Sequence, residues 1–506
     1  MVENDPPNHR TISTIPTNGI VRFPDPLPVI GSLAPDAVSL GRHMPTRRKI
    51  RLDSDQHILI FGPNGKGKGT GVLMPNLLQM EGSSIVVVDP KGELAAVTAE
   101  HRRTLGRVVI LNPFGVLADR PRYEDLKGSG FNPLAALDPD LPSFNSQAAA
   151  LADAMVTVEG KDPHWTTSAR ALVAAVIMFV AMEKKKPSLG DGFRSSPALG
   201  KNEGAALGTM ARVRELLCLP SSEGNRDTDF EPLGIPALAK RMMETGHAGL
   251  KNKAAQFTEW SGEVRSIASA AKIQTEPFDD PEIADNLASE ESFDFRDLKR
   301  EAVTVYLILP PDMMARHSKW LRLVLTSAIQ AVMRPRERGA PKVLFMMDEF
   351  FSLGHLEIIS TVWALTRGYG VQMMPILQDL PQLKKLYPDM WETFIGMAEA
   401  VASFAPNDMT SAEWLSRRMG DTTQAIMSFN SGTNTDAKGN TTISESYAHS
   451  SVKVPLALPH KLFGLPAGHM VVTFDGVSDA ALVEATGYYR IQKCALRARK
   501  NPYFHG

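Results

Sequence analysis

Apolar residues along this chain gather in two kinds of run. Short unbroken runs, rich in β-branched residues, occur at 57–62 (HILIFG), 83–89 (SSIVVVD) and 107–113 (RVVILNP). They return at Val303–Leu309, Val343–Met347, Val371–Leu377, Ala400–Phe404 and His469–Phe474. A strand that alternates apolar and polar residues has one wet face. An unbroken apolar strand is covered on both faces, as in a parallel sheet. Segments with helical character separate the runs, which predicts an α/β chain with a mostly parallel central sheet.

Ala-rich helical segments fill the middle of the chain, at Gln147–Val156, Thr167–Glu183, Gly208–Leu217 and Ile235–Glu244. Gly-, Ser- and Pro-rich loops such as Pro187–Gly204 lie between them. The organisation predicted is an N-terminal arm with short strands over 1–56, a first part of the sheet domain over 57–134, an inserted all-α domain over 135–273, and a second part of the sheet domain over 274–506. The mainly polar stretch Ser428–Ser451 reads as the one tract of low complexity. The longest apolar run, Ala171–Met182, has twelve residues between Arg170 and Glu183. A membrane span needs about 20, so this is read as a core helix and no transmembrane segment is expected.

Composition sharpens this in three ways. A chain of 506 residues at 43% hydrophobic suits two or three domains with a large core. Cys218 and Cys494 are its two cysteines, too few for a disulfide scaffold, which points to a reducing cytoplasm. A net charge of −1 gives no global sign of nucleic-acid binding, so any such surface is local. The cluster Arg334, Arg336 and Arg338, with Lys342, either faces DNA or solubilises a helix end. The run Glu183–Lys186 reads as a solvated helix end, and Met346, Met347, Met373 and Met374 as core.

The chemistry is concentrated in His57–Leu78. A strand leads into Gly62-x4-Gly67-Lys68, which has P-loop spacing, and a helix leads out from about Gly69. Glycines 62, 65, 67 and 69 let the backbone curl so that its N–H groups point at phosphate oxygens. Lys68 adds a point charge for the β/γ-phosphates, and the helix adds its N-terminal dipole. The bland alternative is a glycine-rich turn with an incidental lysine, and the strand and helix flanking it argue against that. Asn64 belongs to the same candidate loop. Gly69 stands where a Ser or Thr would normally hold Mg²⁺, so either Thr70 reaches the metal or a water takes that place.

A second element is VLFMMDEFFSL at 343–353, an apolar strand ending in Asp348-Glu349. Asp348 would bind Mg²⁺ through water at the sheet's C-terminal edge, and Glu349 is the candidate to polarise an attacking water; the bland alternative is a plain strand end, which the P-loop upstream argues against. Asp89 and Lys91 of DPKGE are placed at the end of the strand beside the P-loop strand, where they order the site or merely make a turn.

Taken in chain order, the motifs resemble the VirD4/TraG family of type IV secretion coupling proteins. The matching pieces are GPNGKGKGTGVLMPNLL (62–78), VVVDPKGE (86–93), NPF (112–114), FNPL (131–134), HWTTSARALVAAVI (164–177), RSIASAAKIQTEPF (265–278), VLFMMDEFFSLG (343–354), RGYGVQMMPILQDLPQLKKLY (367–387) and VVTFDG (471–476). The resemblance implies a RecA-like P-loop NTPase using ATP and Mg²⁺, with Lys68, Asp348 and Glu349 as its Walker groups. It implies a sensor role for Gln378 at a strand end, against a plain solvent-facing Gln, and an arginine finger at Arg367, against a surface ion pair. It implies passage of single-stranded DNA with its relaxase, or of protein effectors, to the channel subunits of a type IV secretion system. A hexameric assembly, cytoplasmic and peripheral to the inner membrane, goes with that role. The alternative class is a nucleotide-switched cargo adaptor without motor activity. The family usually carries two N-terminal transmembrane helices where this chain is polar and Pro-rich, so either the sequence is truncated or this is a soluble branch, and docking through partners is expected. Met397 stands where many relatives carry Asn, and no polar role is assigned there.

Overall fold

The computed structural model describes residues 32, 34–157, 164–190, 207–219, 234–289, 292–333, 335–365, 368–435 and 441–503. Its strands are β1 (Val38–His43), β2 (Lys49–Leu52), β3 (His57–Phe61), β4 (Ser84–Val88), β5 (Arg107–Leu111), β6 (Val303–Leu307), β7 (Val343–Met347), β8 (Val371–Leu377), β9 (Ala398–Phe404), β10 (Asp421–Thr435), β11 (Thr441–Pro455), β12 (His469–Phe474) and β13 (Ala481–Glu484). Among the described residues all but β10 and β11 join one sheet, in the order β2-β1-β13-β12-β9-β3-β8-β7-β4-β6-β5. From β9 to β5 every neighbouring pair is parallel. From β9 to β2 every pair is antiparallel.

The unbroken apolar runs have the cause inferred from sequence. In β4, Val86 and Val88 face one core and Ile85 and Val87 the other; in β3, Leu59 and Phe61 face the first and Ile58 and Ile60 the second. Side chains alternate across a strand, so both faces need apolar residues when both are covered. Helices Met74–Gln79, Glu93–Leu105 and Gln492–Arg497 cover one face. Helices Phe144–Met155, His164–Lys185, Pro311–Val332 and Glu357–Leu365 lie in the other core. The four central methionines, Met346, Met347, Met373 and Met374, are fully buried.

Between β5 and β6 the described chain is helical, with Ser261 and Thr209 capping helices Gly262–Thr275 and Met210–Leu217 through their hydroxyls. Helix His164–Lys185 is long and apolar enough, by length and composition, to cross a membrane. About two thirds of its most apolar stretch is buried, in a core shared with helices Phe144–Met155 and Gly262–Thr275. The Glu183–Lys186 run at its end is only partly a solvated face. Lys184 to Lys186 are exposed, but Glu183 is buried and holds Arg212 by two contacts, at 2.9 and 3.1 Å.

Two other readings change. Ser428–Ser451 is largely strand, because β10 and β11 form a continuous antiparallel hairpin from Asp421↔Pro455 to Thr435↔Thr441. It forms a sheet of its own, and among its described residues Phe429, Ile443, Tyr447 and Val452 are exposed, so its mainly polar sequence gave little sign of strand. In the basic cluster, Arg336 donates to Ala340 O at 3.0 and 2.9 Å, and Lys342 pairs with Asp53 at 2.5 Å. Both fix the loop before β7, at the sheet end opposite the P-loop. Arg334 lies outside the described residues.

Glu183 is 0% exposed and Arg212 2%, so removing one partner strands a buried charge. Arg212→Met is expected to lose about 3–5 kcal/mol in denaturant unfolding. The double change Glu183→Leu with Arg212→Met is expected to recover most of it.

Candidate nucleotide-binding site

At the C-terminal edge of the parallel strands lies a cavity of about 760 Å³. β3 delivers Pro63, Asn64, Gly65, Gly67, Lys68, Gly69 and Thr70 to it; β4 delivers Asp89, Pro90, Lys91, Glu93 and Leu94; β7 delivers Asp348, Glu349 and Ser352. Pro311, Met314 and Tyr503 complete the lining. The loop after β3 can curl because Gly65 and Gly67 have φ of +78° and +97°, a region that glycine enters without a Cβ penalty. It is also buttressed: Gly468 N–H donates to Lys66 O at 3.0 Å, and a Cβ on Gly71 would sit 2.5 Å from Ala485 O. Helix entry is a π-turn, Gly69–Leu73, that runs straight into Met74–Gln79.

Lys68 is 9% exposed. Its ammonium donates to the carbonyls of Gly62 and, at 3.1 Å, Pro63. Burial lowers its pKa, against the pull of Asp348 and Glu349. Facing it, the Asp348 carboxyl is raised to about 6 by burial and by Glu349, with Lys68 opposing. Glu349 occupies the left-handed region at φ 56°, a conformation costing on the order of 1 kcal/mol outside glycine. Ser352 fixes it there by donating its Oγ–H to Glu349 O at 2.7 Å.

Asp89 is 2% exposed and accepts the Ala95 N–H at 2.8 Å. Its carboxyl is raised to about 7, first by burial and further by Asp348. Its strand, β4, is not beside the P-loop strand as the sequence reading placed it. β8 and β7 intervene, and β4 pairs with β7 and β6. Asp89 still reaches the cavity because all these parallel strands end at the same edge.

The expected set divides accordingly. Lys68, Asp348, Glu349, Asn64, Gly65, Gly67, Gly69 and Thr70 share the cavity; Gly62 lies at its base and accepts from Lys68. Gln378 ends β8 between the two key strands, half-buried, its backbone N–H donating to Gln382 Oε1 at 2.9 Å, and it does not line the cavity. Arg367 lies outside the described residues. Sequence reasoning missed Glu93 and Tyr503. The Tyr503 hydroxyl donates to Lys91 O at 2.8 Å, and Asn501 holds Glu93 at 2.6 Å. Glu93 stood within the DPKGE motif, whereas nothing local marked Tyr503, which the fold brings from the far end of the chain. The donor set suits a phosphate-bound Mg²⁺, which takes a carboxylate or two and fills its remaining positions with phosphate oxygens and water.

The family model for type IV secretory system conjugative DNA transfer matches residues 35–505. The chain belongs to this family. Within it, conjugal transfer protein TraG of Escherichia coli is 28% identical over 446 residues, covering 82% of this chain and 63% of TraG. VirD4 of Agrobacterium fabrum is 26% identical over 376 residues, covering 72% of this chain and 50% of VirD4. The chain thus spans about three fifths of the TraG relatives' length. The conjugative coupling protein TrwB, solved with sulphate, shares the RecA-like fold at a TM-score of 0.60 and 16% identity, over 92% of this chain and 96% of that one. TrwB solved with ADP and Mg²⁺ superimposes at 0.57, over 90% of this chain and 96% of that one.

Asp89 offers a test of the site's electrostatics. Its folded pKa of about 7 exceeds the ordinary 3.8. Between those values the folded chain keeps a proton that the unfolded chain has released, so stability falls as pH rises through that window. Asp89→Asn stays neutral and keeps an acceptor for the Ala95 N–H. Thermal melts should show no gain at pH 4 and a gain of several degrees at pH 8.

Proposed function

We propose that this chain is an ATP-driven coupling protein that recruits DNA with its relaxase, or protein effectors, and passes them to a type IV secretion channel. One observation carries the reading. The Gly62–Thr70 loop and the Asp348-Glu349 pair, from strands held apart by β8, meet in a single cavity, in a chain of the conjugative DNA-transfer family. Curated TraG and VirD4 relatives and the nucleotide complexes of TrwB support it.

In this reading the N–H groups around Gly65 and Gly67 receive phosphate oxygens, and Lys68 exchanges its two loop carbonyls for them. Thr70 and Asp348 would hold Mg²⁺, which when bound neutralises charge developing on the phosphates. Glu349, aimed by its left-handed backbone, accepts a proton from the attacking water. Gln378, at the end of β8 just outside the cavity lining, would have to turn its side chain inward to read the γ-phosphate, and Arg367 would reach the site of a neighbouring subunit in a hexamer. The helical region of residues 135–273 presents cargo. The assembly sits at the inner membrane through its secretion partners.

Lys68→Ala should abolish nucleotide turnover. Glu349→Gln should bind ATP with near wild-type affinity while hydrolysis drops at least about 100-fold. Single-stranded DNA should raise wild-type turnover. Wild-type hydrolysis by Glu349→Gln would remove the base assignment, and binding without DNA-stimulated turnover would favour a nucleotide-switched adaptor.

A further inference from the structure

Helix Pro311–Val332 begins at the nucleotide cavity, where Pro311 and Met314 form part of its wall. Arg322 lies eleven residues along it, about 16 Å from its start, and is 3% exposed. Its guanidinium is shared between two separate pieces of chain. Nη1 donates to Leu353 O at 2.8 Å and to His355 O at 2.7 Å. Nε donates to Ala154 O at 2.8 Å, and Nη2 reaches Asp153 O at 3.4 Å.

Each piece matters for a different reason. Leu353 closes the single turn Phe350–Leu353, which starts immediately after Glu349. Asp153 and Ala154 lie in the last turn of helix Phe144–Met155, where carbonyls lack intrahelical partners and favour a cation. That helix end is gripped from the helical region too, since Arg170 of helix His164–Lys185 donates to Val156 O at 3.0 Å. On the other side, Gly354 wraps closely around the guanidinium: its φ is +67°, and an added Cβ would lie 3.3 Å from Nη1.

A planar fork with fixed donor directions cannot follow one loop and leave the other behind. A change of conformation at Glu349 moves Phe350–Leu353, and Arg322 passes that movement to Asp153 and Ala154. We propose that Arg322 is a positioning residue that couples nucleotide occupancy at Asp348-Glu349 to the C-terminal turn of helix Phe144–Met155. The proposal rests on the nucleotide-binding reading above and extends it by naming the link between that site and the helical region.

The test is hydrogen exchange on the full chain, with and without ADP and Mg²⁺. In wild type, nucleotide should slow exchange in the loop 62–70, and it should slow exchange in 144–157 by at least about fivefold, the lower end of ordinary coupling strengths. Arg322→Met should keep nucleotide affinity within about twofold and keep the change at 62–70, yet lose the change at 144–157. If Arg322→Met does not fold, Arg322→Lys takes its place, because one ammonium keeps the charge but cannot bridge both loops in fixed geometry. Survival of the response at 144–157 in the variant would overturn the proposal. So would a wild type that responds at 62–70 alone. No response at 62–70 in wild type would instead overturn nucleotide binding itself, and the coupling with it.

Discussion

β8 sets the geometry of the nucleotide site. Its seven residues, Val371–Leu377, are all buried, and it hydrogen-bonds to β3 on one side and β7 on the other. Two strand spacings of about 4.8 Å put the two outer strands roughly 10 Å apart. A glycine loop on one and a carboxylate pair on the other therefore face each other across a gap instead of neutralising each other. Without β8 between them the two strands would be neighbours about 4.8 Å apart, and Lys68 and Asp348 would sit closer together.

That gap is kept open at an electrostatic cost. The Lys68 pKa is pushed down by burial while the carboxyls of Asp348 and Asp89 are pushed up. In each case burial makes the charged form costly, and a bound ion of opposite charge would lower that cost. Orientation settled during folding spares the site from rearranging its dipoles when a ligand arrives. The strained backbone at Glu349 belongs to the same economy of prior placement.

Much of this was legible in the sequence because the residues involved obey local rules. The strands read correctly where both faces are buried, since an unbroken run such as Ser84–Val88 has few other uses. The glycine loop read correctly because its φ values demand glycine. What escaped notice depends on partners far away in the chain. Glu183 looked like solvated charge until Arg212 was placed against it. β10 and β11 form a sheet apart from the main one, so their mainly polar sequence carried little of the buried-strand signal. The neighbours of the Asp89 strand depend on sheet order, which no local pattern encodes. Tyr503 reaches the cavity only because the C-terminal segment runs back along helix Glu93–Leu105, with Arg499 N–H bonded to Val97 O.

The interleaved strand order has a consequence for how the protein is made. β3 pairs with β8 and β9, and β1 pairs with β13. The phosphate-loop strand leaves the ribosome well ahead of its neighbour β8, which begins some 310 residues later. At ordinary elongation rates that delay is roughly 15–60 s. For that interval Ile58–Phe61 has neither of its strand neighbours, and β1, already paired with β2, waits longer still for β13. The nucleotide site cannot form in step with synthesis. Until then β3 lacks both of the strands that flank it in the folded sheet.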